Sequence, residues 1–234
     1  MSGDAGALAV RATTRTTTRV SVDSRVILAT SGFVMLAFVV VHMGGNLLAF
    51  AGSATFDGYA RSLRELGSPL FGAGVVLTLA RVVLAAALIA HLAAHVRTLI
   101  RPAARIEPTY RPVAPAYVVY SFPIPHATGA IILLFVMFHL AHLTLGATIP
   151  AFDSASPYRN LITALRSWPV ALAYMAAALA VGGHLVPGVW CGMNSLGLIR
   201  PRIEGLARVF APALAVITAL GMASVPAAVL LGII

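Results

Sequence analysis

Five long apolar runs divide the chain, at residues 25–51, 70–99, 126–148, 168–193 and 207–232, with polar, Pro- or Gly-rich connections between them. At a rise of about 1.5 Å per residue each run can cross a hydrocarbon layer of about 30 Å. The pattern predicts an all-α integral membrane bundle of five transmembrane helices, forming a single domain over 25–234. Residues 1–24, rich in Thr, Ala and Arg, precede the first run without an apolar stretch of their own. They read as a flexible basic tail rather than a secretory signal peptide. The connection GSATFDGYARSLRELGSP has turn signals at both ends and a helical middle, whereas IRPAARIEPTYRPVAPAYVVYSFPIP is broken by proline and carries headgroup-suited aromatics.

Composition agrees with this pattern. Hydrophobic residues make up 59% of the 234 and charged residues 10%, too few charges for a soluble domain. The formal net charge of +9 comes from sixteen arginines, no lysine and seven acids. Because the arginines are dispersed between spans, they read as topology signals and contacts to anionic lipid or a partner, not as a nucleic-acid surface. The tail (Arg11, Arg15, Arg19, Arg25), the second connection (Arg97, Arg101, Arg105, Arg111) and the fourth (Arg200, Arg202, Arg208) outweigh Arg61, Arg64, Arg159 and Arg166 of the other two. The expectation is a cytoplasmic N-terminus and a C-terminus outside, in the cell membrane of a bacterium. Cys191 is the one cysteine and offers no disulfide or CxxC pair.

The candidate chemistry is histidine. An ionisable side chain inside a membrane span is costly unless paired or liganded, yet His42, His91, His139 and His184 lie within four different runs. Counted from the inner ends of their spans, His42 and His139 lie at ~24 and ~20 Å, His91 and His184 at ~12 and ~13 Å. The four therefore sort into an outer and an inner level, each with two histidines from two helices. That arrangement suits two stacked haems, each held by two axial imidazoles. No carboxylate lies inside any run, which disfavours a hard-metal or di-iron carboxylate site. Small residues beside the histidines (Gly44, Gly45, Ala93, Ala94, Gly182, Gly183) would allow close approach of a macrocycle, or plain helix packing. His142, three residues after His139, is an alternative ligand. His95, one turn from His91, is a candidate propionate or quinone contact, and His126 a structural residue at the start of the third span. Arg81 would meet a haem propionate or snorkel to the surface, and Asn46 is a further candidate cofactor contact.

At these residues the chain resembles the five-helix, di-haem cytochrome b subunit of succinate dehydrogenases and fumarate reductases. The matching pieces are SGFVMLAFVVVHMGGNLLAF, FDGYARSLRELGSPL, VVLAAALIAHLAAHVRTLIRPAARI, TGAIILLFVMFHLAHL and AYMAAALAVGGHLVPGVWCGMNSLGL, together about residues 25–200. The resemblance implies two haems b, with His42 and His139 on the outer iron and His91 and His184 on the inner. The Phe135-to-His139 spacing favours His139 over His142. It implies a membrane anchor without a dehydrogenase active site of its own, taking electrons from an iron–sulfur subunit fed by a flavoprotein subunit. Membrane quinone would receive them, menaquinone by analogy with di-haem relatives. Two departures stand out: Pro187 replaces a second histidine found in many relatives, and Gly182 replaces a glutamate that some fumarate reductases use for proton transfer. Other readings of the same histidines are the cytochrome b subunit of a hydrogenase or formate dehydrogenase, and a transporter or structural bundle without haem.

Overall fold

The computed structural model describes residues 20–100, 113–120 and 124–234, with side chains from Ser24 onward in the first segment and to Val118 in the second. Most of the N-terminal tail, and Arg101, Arg105 and Arg111, lie outside the described residues. Among the described residues nine α-helices follow in order: α1 Val20–Leu47, α2 Ser53–Glu65, α3 Ser68–Phe71, α4 Val75–Ile100, α5 Ala116–Tyr120, α6 Ile124–His139, α7 Pro157–Leu165, α8 Trp168–Ser195 and α9 Glu204–Leu230. No strand occurs among the described residues. Among the described residues five helical segments are long and apolar enough to cross a membrane: Ser24–Ala51, Val75–Ile100, Ile124–Thr144, Trp168–Ser195 and Glu204–Leu230. A multi-pass membrane protein is the architecture that results.

Three of the boundaries that differ from the sequence expectation have a local cause. The second span starts at Val75 rather than residue 70, because Gly72 and Gly74 both take φ of 81° and split off the short α3. Only glycine adopts that conformation readily. The third span ends at Thr144 rather than residue 148, where a π-helical turn over Leu140–Thr144 gives way to Gly146 at φ 67°. The fifth span begins three residues earlier than expected, at Glu204, whose carboxylate lies in the first turn and pairs with Arg208 at 2.6 Å.

Packing is uneven. Helices α8 and α9 form the tightest pair, and α1 packs on α4, α8 and α9, while α6 packs on α8. A small-residue stripe on α9 (Ala207, Ala211, Ala215, Ala219) is buried, and a Cβ placed on Gly182 of α8 would sit 2.8 Å from the Ala219 Cβ. Small faces of this kind let two helices approach closely in a bilayer. By contrast α6 buries none of its residues, and α4 buries only Ala87 and Ala94. The pairs α1–α6 and α4–α8 are not closely packed. A gap therefore runs between them.

The loops close one end of the bundle. Helix α7 seats Leu161, Ile162 and Leu165 against Ala49, Ala171, Val225 and Val229, with Phe56 of α2 beside them. The Asp57 carboxylate accepts from the Tyr158 backbone N–H at 2.8 Å, and Arg64 donates to the Ser154 carbonyl at 2.8 Å. At the opposite end, Trp190, Val189 and Ile199 pack with Ala207, Ala211 and Phe33. There Arg208 lies 5.7 Å from the Trp190 ring centre and donates to the Val113 carbonyl.

Candidate functional site

Two histidine pairs face each other across the gap. His42 of α1 and His139 of α6 have ring centroids 5.8 Å apart with planes at 84°. His91 of α4 and His184 of α8 are 6.3 Å apart at 57°. The pairs use the two helix combinations that do not pack closely, so the rings occupy the space between the backbones. The first pair lies toward the α2–α7 end and the second toward the α5 end. The pairing is the one expected from depth counting. His142 does not face His42; it is buried against Tyr174 on the π-helical turn.

The α5-end pair has a defined tautomer. The Ser31 hydroxyl donates to the Ile27 carbonyl at 2.6 Å. Its one proton is thus committed, and Oγ can only accept from His91 Nδ1 at 3.3 Å. The Leu28 carbonyl, 3.1 Å from the same nitrogen, is also an acceptor. His91 Nδ1 must therefore carry the proton, and Nε2 keeps its lone pair. His184 repeats the logic: Thr128 Oγ1 donates to the Ile124 carbonyl at 2.7 Å and accepts from His184 Nδ1 at 3.3 Å. Fixing one imidazole nitrogen as donor leaves the other as the natural metal ligand.

The same residues recur in both halves. Gly32 stands ten residues before His42 and Gly129 ten before His139, each directly preceded by a hydroxyl residue, Ser31 or Thr128. Ten residues of helix is about 15 Å, so each of α1 and α6 carries a histidine for one level and a support for the other. A Cβ on Gly32 would lie 3.3 Å from His91 Cε1, and one on Gly129 would lie 3.5 Å from His184 Cε1. These two glycines, not the ones next to the histidines, admit the rings. Depth counting applied to small and hydroxyl residues would have found them.

The α7-end pair is held differently. The Tyr174 hydroxyl is 3.3 Å from His139 Nδ1 and 3.1 Å from His142 Nδ1. Rings stack along each helix: Phe38 on His42 at 5.1 Å, Phe135 on His139 at 5.8 Å and Phe138 on His142 at 4.9 Å. The π-helical turn that follows His139 brings His142 to the same hydroxyl, and such turns are frequent at functional sites. Tyr174 carried no signal in the sequence reading beyond its place in the fourth span.

Several expected neighbours fall elsewhere. Gly182 faces α9, and Gly45 accommodates the Tyr59 ring rather than a cofactor. Gly183 faces Thr128 and Ile124 of α6. Arg81 is exposed on α4 and Asn46 is half-buried near the end of α1; neither is brought to the histidines by any hydrogen bond or ion pair among the described residues. His95 lies against His126 with centroids 5.2 Å apart.

The donor set fits a haem. Two imidazoles on opposite sides of one metal ion have centroids about 6 Å apart, given metal–nitrogen bonds near 2 Å. Among the described residues no group of three or more His, Cys, Asp or Glu could enclose a metal ion. Pairs are what a macrocycle needs, since it supplies the four equatorial nitrogens itself. Comparison with family models, with curated proteins and with solved structures gives no match.

Proposed function

We propose that this chain is the di-haem cytochrome b membrane anchor of a succinate:quinone oxidoreductase. The observation that carries the reading is the pair of facing histidine couples, drawn from four helices and stacked along the bundle, with Nε2 left bare at His91 and His184. In this reading His42 and His139 hold one haem b, and His91 and His184 the other. Bound there, the haems supply reversible one-electron transfer across the membrane.

The chain's own residues do the rest. Ser31, the Leu28 carbonyl and Thr128 hold the α5-end imidazoles in register through Nδ1. The Tyr174 hydroxyl lies within hydrogen-bond reach of Nδ1 of both His139 and His142, so one hydroxyl orients the ligand and ties it to a second histidine. Phe38 and Phe135 cover ring faces and keep water away from them. The spans contain no carboxylate apart from Glu204 at the very start of α9, where it pairs with Arg208. Gly182 has no room for a glutamate, because α9 lies against it. Electrons would thus cross without an acidic proton path beside them.

The arginine distribution and the resemblance of residues 25–200 support a cytoplasmic face bearing an iron–sulfur subunit and a flavoprotein subunit, with membrane quinone, menaquinone by analogy, as acceptor. The bacterial cell membrane is the corresponding location. Affinity purification of the chain from its native membrane tests this directly. A flavoprotein and an iron–sulfur protein should co-purify, and succinate should reduce the b-type absorbance. Co-purification of a nickel–iron or molybdenum protein instead would move the chain to a hydrogenase or formate dehydrogenase, and absence of haem would leave a transporter or structural bundle.

A further inference from the structure

We propose that His95 and His126 form a separate binding site for a divalent transition metal ion of the zinc and copper class, at the α5 end of the bundle. Two imidazoles can share an ion only where their ring separation lies within the range that its coordination angles allow. With metal–nitrogen bonds near 2 Å, opposite ligands place ring centroids about 6.3 Å apart, whereas a tetrahedral angle brings them to about 5.2 Å. His91 and His184 are at 6.3 Å. His95 and His126 are at 5.2 Å with planes at 54°, the tetrahedral value. His42 and His139 lie between these values at 5.8 Å; the separation of the third pair is one at which two imidazoles of different helices can share an ion.

Position and chemistry agree with this assignment. His126 is exposed and His95 half-buried, so the chain itself leaves the pair open, and both lie near the α5-end limits of their spans, Ile124–Thr144 and Val75–Ile100. A carboxylate is absent from both α4 and α6. An all-imidazole donor set favours zinc, copper or nickel over magnesium or calcium, which want oxygen ligands. Helices α4 and α6 are not closely packed, so a bound ion would join the ends of two helices that otherwise flank the gap. The site stands independently of the haem reading.

The test uses the full chain without a polyhistidine tag, in a Cys191→Ser background that removes the exposed thiol. Copper(II) alone is titrated and followed by electron paramagnetic resonance. One ion per chain with splitting from two nitrogens is expected, displaced by zinc(II) and not by magnesium. His95→Ala and His126→Ala should each weaken binding about tenfold or more and reduce the splitting to one nitrogen. Copper binding unchanged in both variants overturns the site. Should the variants fail to fold, the unsubstituted protein decides: zinc should raise its thermal midpoint where magnesium does not, and equal effects of the two ions overturn the site.

Discussion

Gly32 is the position where a single methyl group distinguishes a packed helix from a supporting site. Replacing glycine by alanine inside a helix ordinarily stabilises by about 0.5–1 kcal/mol through backbone entropy. At Gly32 the new Cβ would lie 3.3 Å from His91 Cε1, a few tenths of an ångström inside comfortable carbon contact. A loose side chain would move aside. His91 is not loose, because Nδ1 is tied to the Leu28 carbonyl at 3.1 Å and to Ser31 Oγ at 3.3 Å. Relief means lengthening those bonds, worth about 1 kcal/mol, or accepting overpacking of about 1–3 kcal/mol. Gly32→Ala should therefore fall between neutral and about 2 kcal/mol destabilising, and Gly32→Val should exceed it. Gly58 of α2 has nothing within 4 Å of its Cβ position, so Gly58→Ala should stabilise by the full about 0.5–1 kcal/mol. Thermal unfolding of the two variants in one detergent should raise the midpoint for Gly58→Ala and leave it unchanged or lowered for Gly32→Ala, about 2–4 °C per kcal/mol. Gly129→Ala, with its contact at 3.5 Å, should lie between them. If Gly32→Ala stabilises as much as Gly58→Ala, the ring is free to move and its tethering is wrong.

Further expectations follow from other contacts. Tyr174→Phe removes the hydroxyl shared by His139 and His142. It should weaken cofactor binding at the α7-end pair about 10–100-fold, measured by titrating haem into the purified apoprotein, and leave the other pair unchanged. Gly182→Leu drives a side chain into Ala219 and the Ala215 carbonyl and should cost at least about 1–3 kcal/mol in thermal unfolding. The Asp153 carboxylate accepts from the Ala155 N–H and the Ser156 hydroxyl and pairs with Arg159, which holds its pKa below the usual carboxylate value. A depressed folded pKa contributes stability at neutral pH that is lost only as pH falls through it. Protection from hydrogen exchange over 151–160, taken relative to the intrinsic rate at each pH, should therefore stay flat from pH 8 to about 4 and fall below; a loss of protection near pH 6 would contradict the assignment.

The five spans were legible because hydropathy alone encodes them, and α2 because turn residues bracket it, whereas α7 was hidden in PAFDSASPYRNLITALRSWP, which reads as a plain loop. Histidine pairing was legible through depth, since a helix converts residue number into height. Direction around the helix axis was not. Gly182 and His184 are two residues apart, yet one faces α9 and the other the gap; no period in an almost wholly apolar helix marks which side is which. The supports of the histidines were hidden for the same reason: Ser31, Gly32, Thr128 and Gly129 look like ordinary small residues until the helices that carry His91 and His184 are set against them. The π-helical turn at Leu140–Thr144 moves His142 off the face an α-helix would give it, and no residue type announces such a turn. The split of α3 from α4 was signalled by Gly72 and Gly74, whose turn chemistry was outweighed by the surrounding apolar run.

The central claim is that the histidines act as two couples, each holding one haem. The decisive measurement is the haem content and reduced absorbance of the purified chain and of single alanine variants at the four positions. The unsubstituted chain should hold two b-type haems. His42→Ala and His139→Ala should each lose the same haem, His91→Ala and His184→Ala the other, and His142→Ala should retain both. Full haem content in any of the four variants, or a loss that pairs His42 with His91 or His184, would contradict the account.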